Sequence, residues 1–172
     1  GTFPLNGNTF TVTSVSNPAI ATLTVTSSSI GTTVYAGNKN VLVGAWNFTG
    51  ANSRVWLKGL SLKVIGSASK SDVQNVKLYV NGSQVGSTFA AVPADGVSYF
   101  DLTAAPATLN TGSNNVQVYA DVMGSPNFNF QFEILNSYDI LVVDSQYNVP
   151  IAGSSNVGTQ VSINAGTITL TA

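Results

Sequence analysis

Apolar and polar side chains alternate with period two along most of the chain, and no stretch of ten or more residues carries the i, i+3, i+4, i+7 stripe of an amphipathic helix. The pattern predicts an all-β protein. Ala21, Leu23 and Val25 alternate with three threonines, a half-buried strand rich in β-branched residues. Phe10, Val12 and a shift to Val15 mark a strand before it, and a third run gathers Val41, Val43 and Ala45 before Trp46 to Phe48. From Arg54 to Ile65 the buried set changes phase: Val55 and Leu57 lie on one parity, Leu60, Leu62 and Val64 on the other. An extra residue beside Gly59 keeps both sets on one face, which predicts a β-bulge there. Val76, Leu78 and Val80 lead into Asn81-Gly82, the dipeptide of a two-residue type I′ hairpin, with Val85 and Phe89 on the return strand. Val116, Val118, Ala120 and Val122 alternate cleanly, and Phe128, Phe130, Phe132 and Ile134 follow a Gly-Ser-Pro-Asn turn, predicting a hairpin with three inward rings. Such short strands separated by Gly, Pro and Asn turns predict an antiparallel β-sandwich.

The chain divides into an N-terminal arm, residues 1–18, released by Asn17-Pro18; a sandwich, residues 19–158; and a C-terminal strand, residues 159–172. Without an initiator Met or a charged leader, Gly1 reads as a processed or excised start. Ala21 to Thr26 and Gly166 to Thr171 share one pattern of alternating threonines, as successive units of an array would.

Composition narrows the chemistry. The chain has no His and no Cys, which removes imidazole triads, thiolate nucleophiles, disulfides and the usual zinc, haem and iron–sulfur ligand sets. A net charge of −1 with 8% charged residues leaves no basic field, so nucleic acid is not an expected partner. No apolar run is long enough for a membrane-spanning helix. The neutral Ser/Thr/Asn-rich surface points to an extracellular or cell-surface protein. Asn47-Phe48-Thr49 and Asn81-Gly82-Ser83 match the glycan acceptor pattern, one common by chance in so Asn-rich a chain.

A carboxylate pair cuts glycosidic bonds without histidine, and Glu133, Asp121, Asp139 and Asp144 are the candidates, with Glu133 and Asp121 expected to point outward into solvent. Asp144-x-Gln146-x-Asn148 has calcium-loop spacing, but Val149 stands where the turn glycine belongs and no Glu closes the site. Trp46 and Trp56, with Tyr35, Tyr79 and Tyr119, are candidates for a sugar-stacking platform. Lys63 is not expected to be buried beside an acid, as an isopeptide crosslink requires. No cofactor, metal or catalytic residue is expected.

The order Val34-Tyr35-Ala36-Gly37, Val41 to Gly44, Val55-Trp56-Leu57-Lys58-Gly59-Leu60-Ser61-Leu62, Asp72 to Tyr79 and Gln84 to Ser87 resembles tandem immunoglobulin-like repeat domains of bacterial cell-surface and S-layer-like proteins. The likeness spans about Ile20 to Val122, includes the opening Thr-Leu-Thr-Val strand, and lapses in the Phe-rich segment and in Tyr138 to Val149. It implies an immunoglobulin-like sandwich with extended terminal strands and a structural, exported module, with no catalytic residues to carry over. The expected function is an extracellular subunit that self-associates into a surface filament or layer by strand complementation, through Phe10 and Val12 or through Ile168 and Leu170. The alternative is a carbohydrate-binding or adhesin module that holds a surface glycan through Trp46 or Trp56.

Overall fold

The computed structural model describes residues 19–165. In chain order the strands are β1 (Thr22–Ser27), β2 (Thr33–Tyr35), β3 (Val41–Ala51), β4 (Val55–Gly66), β5 (Val73–Val80), β6 (Ser83–Ala91), β7 (Val97–Asp101), β8 (Ala107–Leu109), β9 (Gly112–Val122), β10 (Asn129–Ile134), β11 (Ile140–Asp144), β12 (Pro150–Ile151), β13 (Asn156–Val157) and β14 (Val161–Asn164). Single 3-10 turns at Lys70–Asp72 and Ser137–Asp139 are the helical segments among the described residues, so the chain is all-β.

The strands form a five-stranded sheet, ordered β1-β3-β9-β5-β6, and a nine-stranded one that follows β12-β11-β4-β10-β14-β2, with β13 on β10 and with β7 and β8 on β4. The second sheet is organised on β4. Leu60 pairs with both Ile140 and Phe100, and Lys63 with both Glu133 and Val97, so β11 and β10 share one side of β4 while β7 lies along the other. Pairing is antiparallel except between β14 and β2, which run parallel. The long chain between those two strands supplies the crossover that a parallel pair needs.

A common core joins the two sheets in a sandwich-like arrangement. Val55, Leu57, Leu60, Leu62 and Val64 of β4 are buried in the same cluster as Trp46 and Phe48 of β3, Leu78 of β5, and Val116 and Val118 of β9. Each fully buried Leu or Phe of this size contributes about 1.5–3 kcal/mol relative to exposure. The predicted bulge is present: Leu141 pairs with Gly59 but Val142 with Leu57, leaving Lys58 as the inserted residue that brings both parities of β4 inward. Gly59 also allows a close approach, since a Cβ there would lie 2.7 Å from the Tyr99 hydroxyl.

Two expectations are corrected, and β3 adds a feature of its own. Val116–Val122 and Phe128–Ile134 do not form a hairpin, because β9 belongs to the five-stranded sheet and β10 to the other. Of the three rings, Phe130 and Phe132 are buried in the core, whereas Phe128 is exposed. In β3 a second register shift at Val43 reverses the phase, so that Gly44, Trp46 and Phe48 share a face with inward Val118 and Val116, while Ala45 pairs with outward Gln117.

Asn81 and Gly82 connect β5 to β6 with φ of 49° and 82°, the two positive values of a type I′ turn. A Cβ on Gly82 meets no atom within 4 Å, so substitution there strains only the backbone. Gly82→Ala is expected to lower stability by about 1 kcal/mol, measured as a lower urea midpoint with an unchanged m-value.

Candidate functional site

Two buried polar knots hold the edges of the sandwich together. Asp144, at the end of β11, is fully buried. Its Oδ2 accepts from the Ala21 amide and the Ser53 hydroxyl, both at 2.7 Å, and its Oδ1 from the amides of Gln146 at 2.7 Å and Tyr147 at 2.9 Å. One carboxylate thus ties the start of β1, the β3–β4 turn and the β11–β12 turn. Burial is the largest single influence on its pKa and would raise it; the Ser53 hydroxyl and the amides of Ala21, Tyr147 and Gln146 together outweigh burial and hold the carboxyl at about 2. The Asp-x-Gln-x-Asn spacing is therefore that of a turn, with hydrogen-bond donors on the oxygens that a calcium ion would need. Asn114 is the second knot: its Nδ2 donates to the carbonyls of Phe48, Asn110 and Gly112, and its Oδ1 accepts from Asn81 Nδ2 and the Asn110 amide.

The candidate acids are engaged in different ways. Among the described residues no group of three or more His, Cys, Asp or Glu is placed to hold a metal ion. The Asn75 side chain and then the Asn40 amide hold the Asp121 carboxyl below its ordinary range, opposite to what a general acid requires. Asp139 accepts from the Asn136 amide at 2.8 Å as part of its own turn. Glu133 is buried, not outward in solvent: on β10 it stands opposite Lys63 of β4 and Val157 of β13, and flanking strands cover it. Lys63 is half-buried in that position, and its ammonium donates to the Asp95 carbonyl.

The aromatic candidates separate. Trp46 is fully buried in the core, with its indole Nε1 unpartnered, so no ligand can stack on it. Room for the ring comes from Gly44, whose Cβ would lie 2.9 Å from Trp46 Cη2. Trp56 lies on the outward face of the larger sheet, opposite Val143 and Thr108, with Lys58 Nζ 5.9 Å from its ring centroid. Tyr35 is exposed on β2. Tyr79 and Tyr119 come together on the outward face of the five-stranded sheet, edge to face at 5.2 Å and 70°.

That face bears two adjoining hollows. One of about 430 Å³ is lined by Ser28, Asn47, Ser113, Asn115 and Gln117, among others; one of about 240 Å³ is lined by Asn40, Tyr79, Gly82, Gln117 and Tyr119. Asn47, the first acceptor-pattern asparagine, lies in the floor and accepts from the Ser113 hydroxyl at 2.7 Å. The second, Asn81, has both side-chain amide atoms bonded to β9.

The two edges of the five-stranded sheet differ. At β1 the Val25 amide donates to Ser154 Oγ and the Val25 carbonyl accepts from Asn156 Nδ2, so side chains from the β12–β13 region close that edge. At the other end β6 bonds only to β5 among the described residues, and its nine residues include no charge and no proline. Phe89 of β6 packs edge-on against Phe100 at 5.0 Å, fastening the strand to the second sheet.

Phe10, Val12, Ile168 and Leu170 lie outside the described residues. Residues Val161–Asn164 of the C-terminal segment belong to the domain's own larger sheet, between β10 and β2. No helix among the described residues is long and apolar enough to cross a membrane. Comparison with protein-family models and with curated proteins finds no match to this chain.

Proposed function

We propose that the chain is an extracellular structural module, an immunoglobulin-like repeat of a cell-surface or S-layer-like assembly, that joins neighbours by adding a terminal strand of one copy to β6 of the next. The observation that carries this reading is β6, a nine-residue uncharged strand whose outer edge has no partner among the described residues, although a bulge at Gly86 to Thr88, opposite Val76 to Leu78, divides it into two paired stretches. Natural sheets blunt such edges with lysine, proline or a covering segment, and an edge left bare is a template for another strand. A donor pairs its backbone with the edge and places alternate side chains against the inner face. The arm before Pro18 supplies Phe10 and Val12 at that alternation, and the segment after Asn164 supplies Ile168 and Leu170. The recurrence of the Thr-rich pattern at both ends suits units that follow one another.

Electron microscopy of the full chain, of a form lacking Gly1 to Ser16, and of a Ser87→Lys/Ala90→Lys variant tests this. Regular filaments or sheets from the full chain that disappear in the β6 variant support the reading, and their loss in the truncated form assigns the donor to the arm. Monodisperse single domains from the full chain at every concentration overturn it. A second reading, a module that holds a surface glycan, is favoured by the amide-lined face of the five-stranded sheet rather than by either tryptophan.

A further inference from the structure

We infer that the outward face of the five-stranded sheet, from Asn47 across Gln117 to Tyr79, is a binding site for a neutral polysaccharide chain. The site is independent of the β6 edge, and it names a ligand class and residues for the second reading above. Three observations carry it. The two hollows, of about 430 and 240 Å³, adjoin at Gln117 along β3, β9 and β5, and the larger is in the range of small-ligand sites. Their lining is mostly hydroxyls, primary amides and tyrosines, with Leu42 and Ala45 as the apolar part and no carboxylate or cation. Among the described residues, the side-chain amides of Asn115 and Gln117 and the hydroxyl of Tyr119 make no hydrogen bond within the protein, although each stands on a strand in mid-sheet.

These properties select the ligand. A phosphate or uronate chain would need cations, and Lys77, which stands opposite Tyr119, has its Nζ turned to Asn40 Oδ1 at 3.3 Å. A peptide strand would seek backbone edges, which the face of a sheet does not offer. A neutral sugar presents adjacent hydroxyls, each donor and acceptor, and a primary amide answers both at once. Its C–H faces stack on aromatic rings, and the perpendicular Tyr79 and Tyr119 offer one ring face and one edge. The side chains project from paired strands, so little ordering is needed on binding.

Titration calorimetry of the full chain with cellohexaose, mannohexaose and chitohexaose, and with hexagalacturonate as the charged comparison, tests the inference. The expected result is binding of at least one neutral hexasaccharide with a Kd below about 1 mM. Tyr79→Ala and Gln117→Ala should each weaken it at least about tenfold with an unchanged far-ultraviolet spectrum, while Trp56→Ala leaves it intact. Failure of all three neutral sugars to bind overturns the inference, as does equal binding of hexagalacturonate or binding that survives both substitutions. Gln117 stands on β9 and Tyr79 reaches β6 through its hydroxyl on Gln84 Oε1, so both substitutions keep the backbone edge of β6; assembly seen by microscopy is expected to persist in both, Gln117→Ala being the cleaner case, and the failure of one reading is distinguishable from the failure of the other.

Discussion

Replacing Asp144 by alanine is expected to lower stability by about 4 kcal/mol, because it strands the four donors that meet on one buried carboxylate. For a chain of this size the melting temperature should fall by roughly 10 °C. Asp144→Asn is expected to fall between, since its amide keeps one acceptor oxygen but turns a second donor toward the amides of the turn. Acid should reproduce the effect. The folded carboxyl titrates at about 2 and the unfolded one near 3.8, so its stabilisation is fully present above the unfolded value and is lost as pH falls from about 4 toward 2. Urea midpoints for the native chain and Asp144→Asn should therefore converge across that window. Parallel curves at all pH values would remove Asp144 from the account of acid sensitivity.

The second large effect separates the two tryptophans. Trp46→Ala is expected to cost about 4 kcal/mol, because the cavity opens in a core lined by strand backbone that cannot collapse around it. Trp56→Ala should cost less than about 1 kcal/mol, since a half-buried outward side chain loses only partial contacts. Paired thermal melts of the two variants check both values. Equal losses would contradict the placement of Trp46 between the sheets and of Trp56 outside them.

These two cases also mark what is legible in the chain before any fold is known. The Asn81-Gly82 turn and the bulge beside Gly59 are legible because their causes are local: one dipeptide tolerates two positive φ values, and one change of parity demands one extra residue. The place of Trp46 is not legible, because the bulge at Val43 leaves four consecutive residues, Val43 to Trp46, buried, so alternation gives no phase. The β9–β10 hairpin is misread for a different reason. Alternation reports which face of a strand is buried and is silent about its partner, and this connection passes from one sheet to the other. Asp144 has a sequence signal, an aspartate followed by Ser-Gln-Tyr-Asn, which is turn chemistry as well as ligand spacing. Its distant donors, Ala21 and Ser53, follow only from the fold. The amide-lined face has half a signal: Tyr79 and Tyr119 are visible as outward aromatics, but β3, β9 and β5 become neighbours only through long-range pairing.

The central claim, that β6 receives a strand from another copy, is tested most directly by hydrogen exchange of the full chain at low and high protein concentration. The amides of β6 that do not bond to β5 should exchange freely when the chain is dilute and slow by at least about tenfold as it assembles, while β1, whose edge is already closed, stays unchanged. Exchange at β6 that is the same at every concentration would contradict the claim.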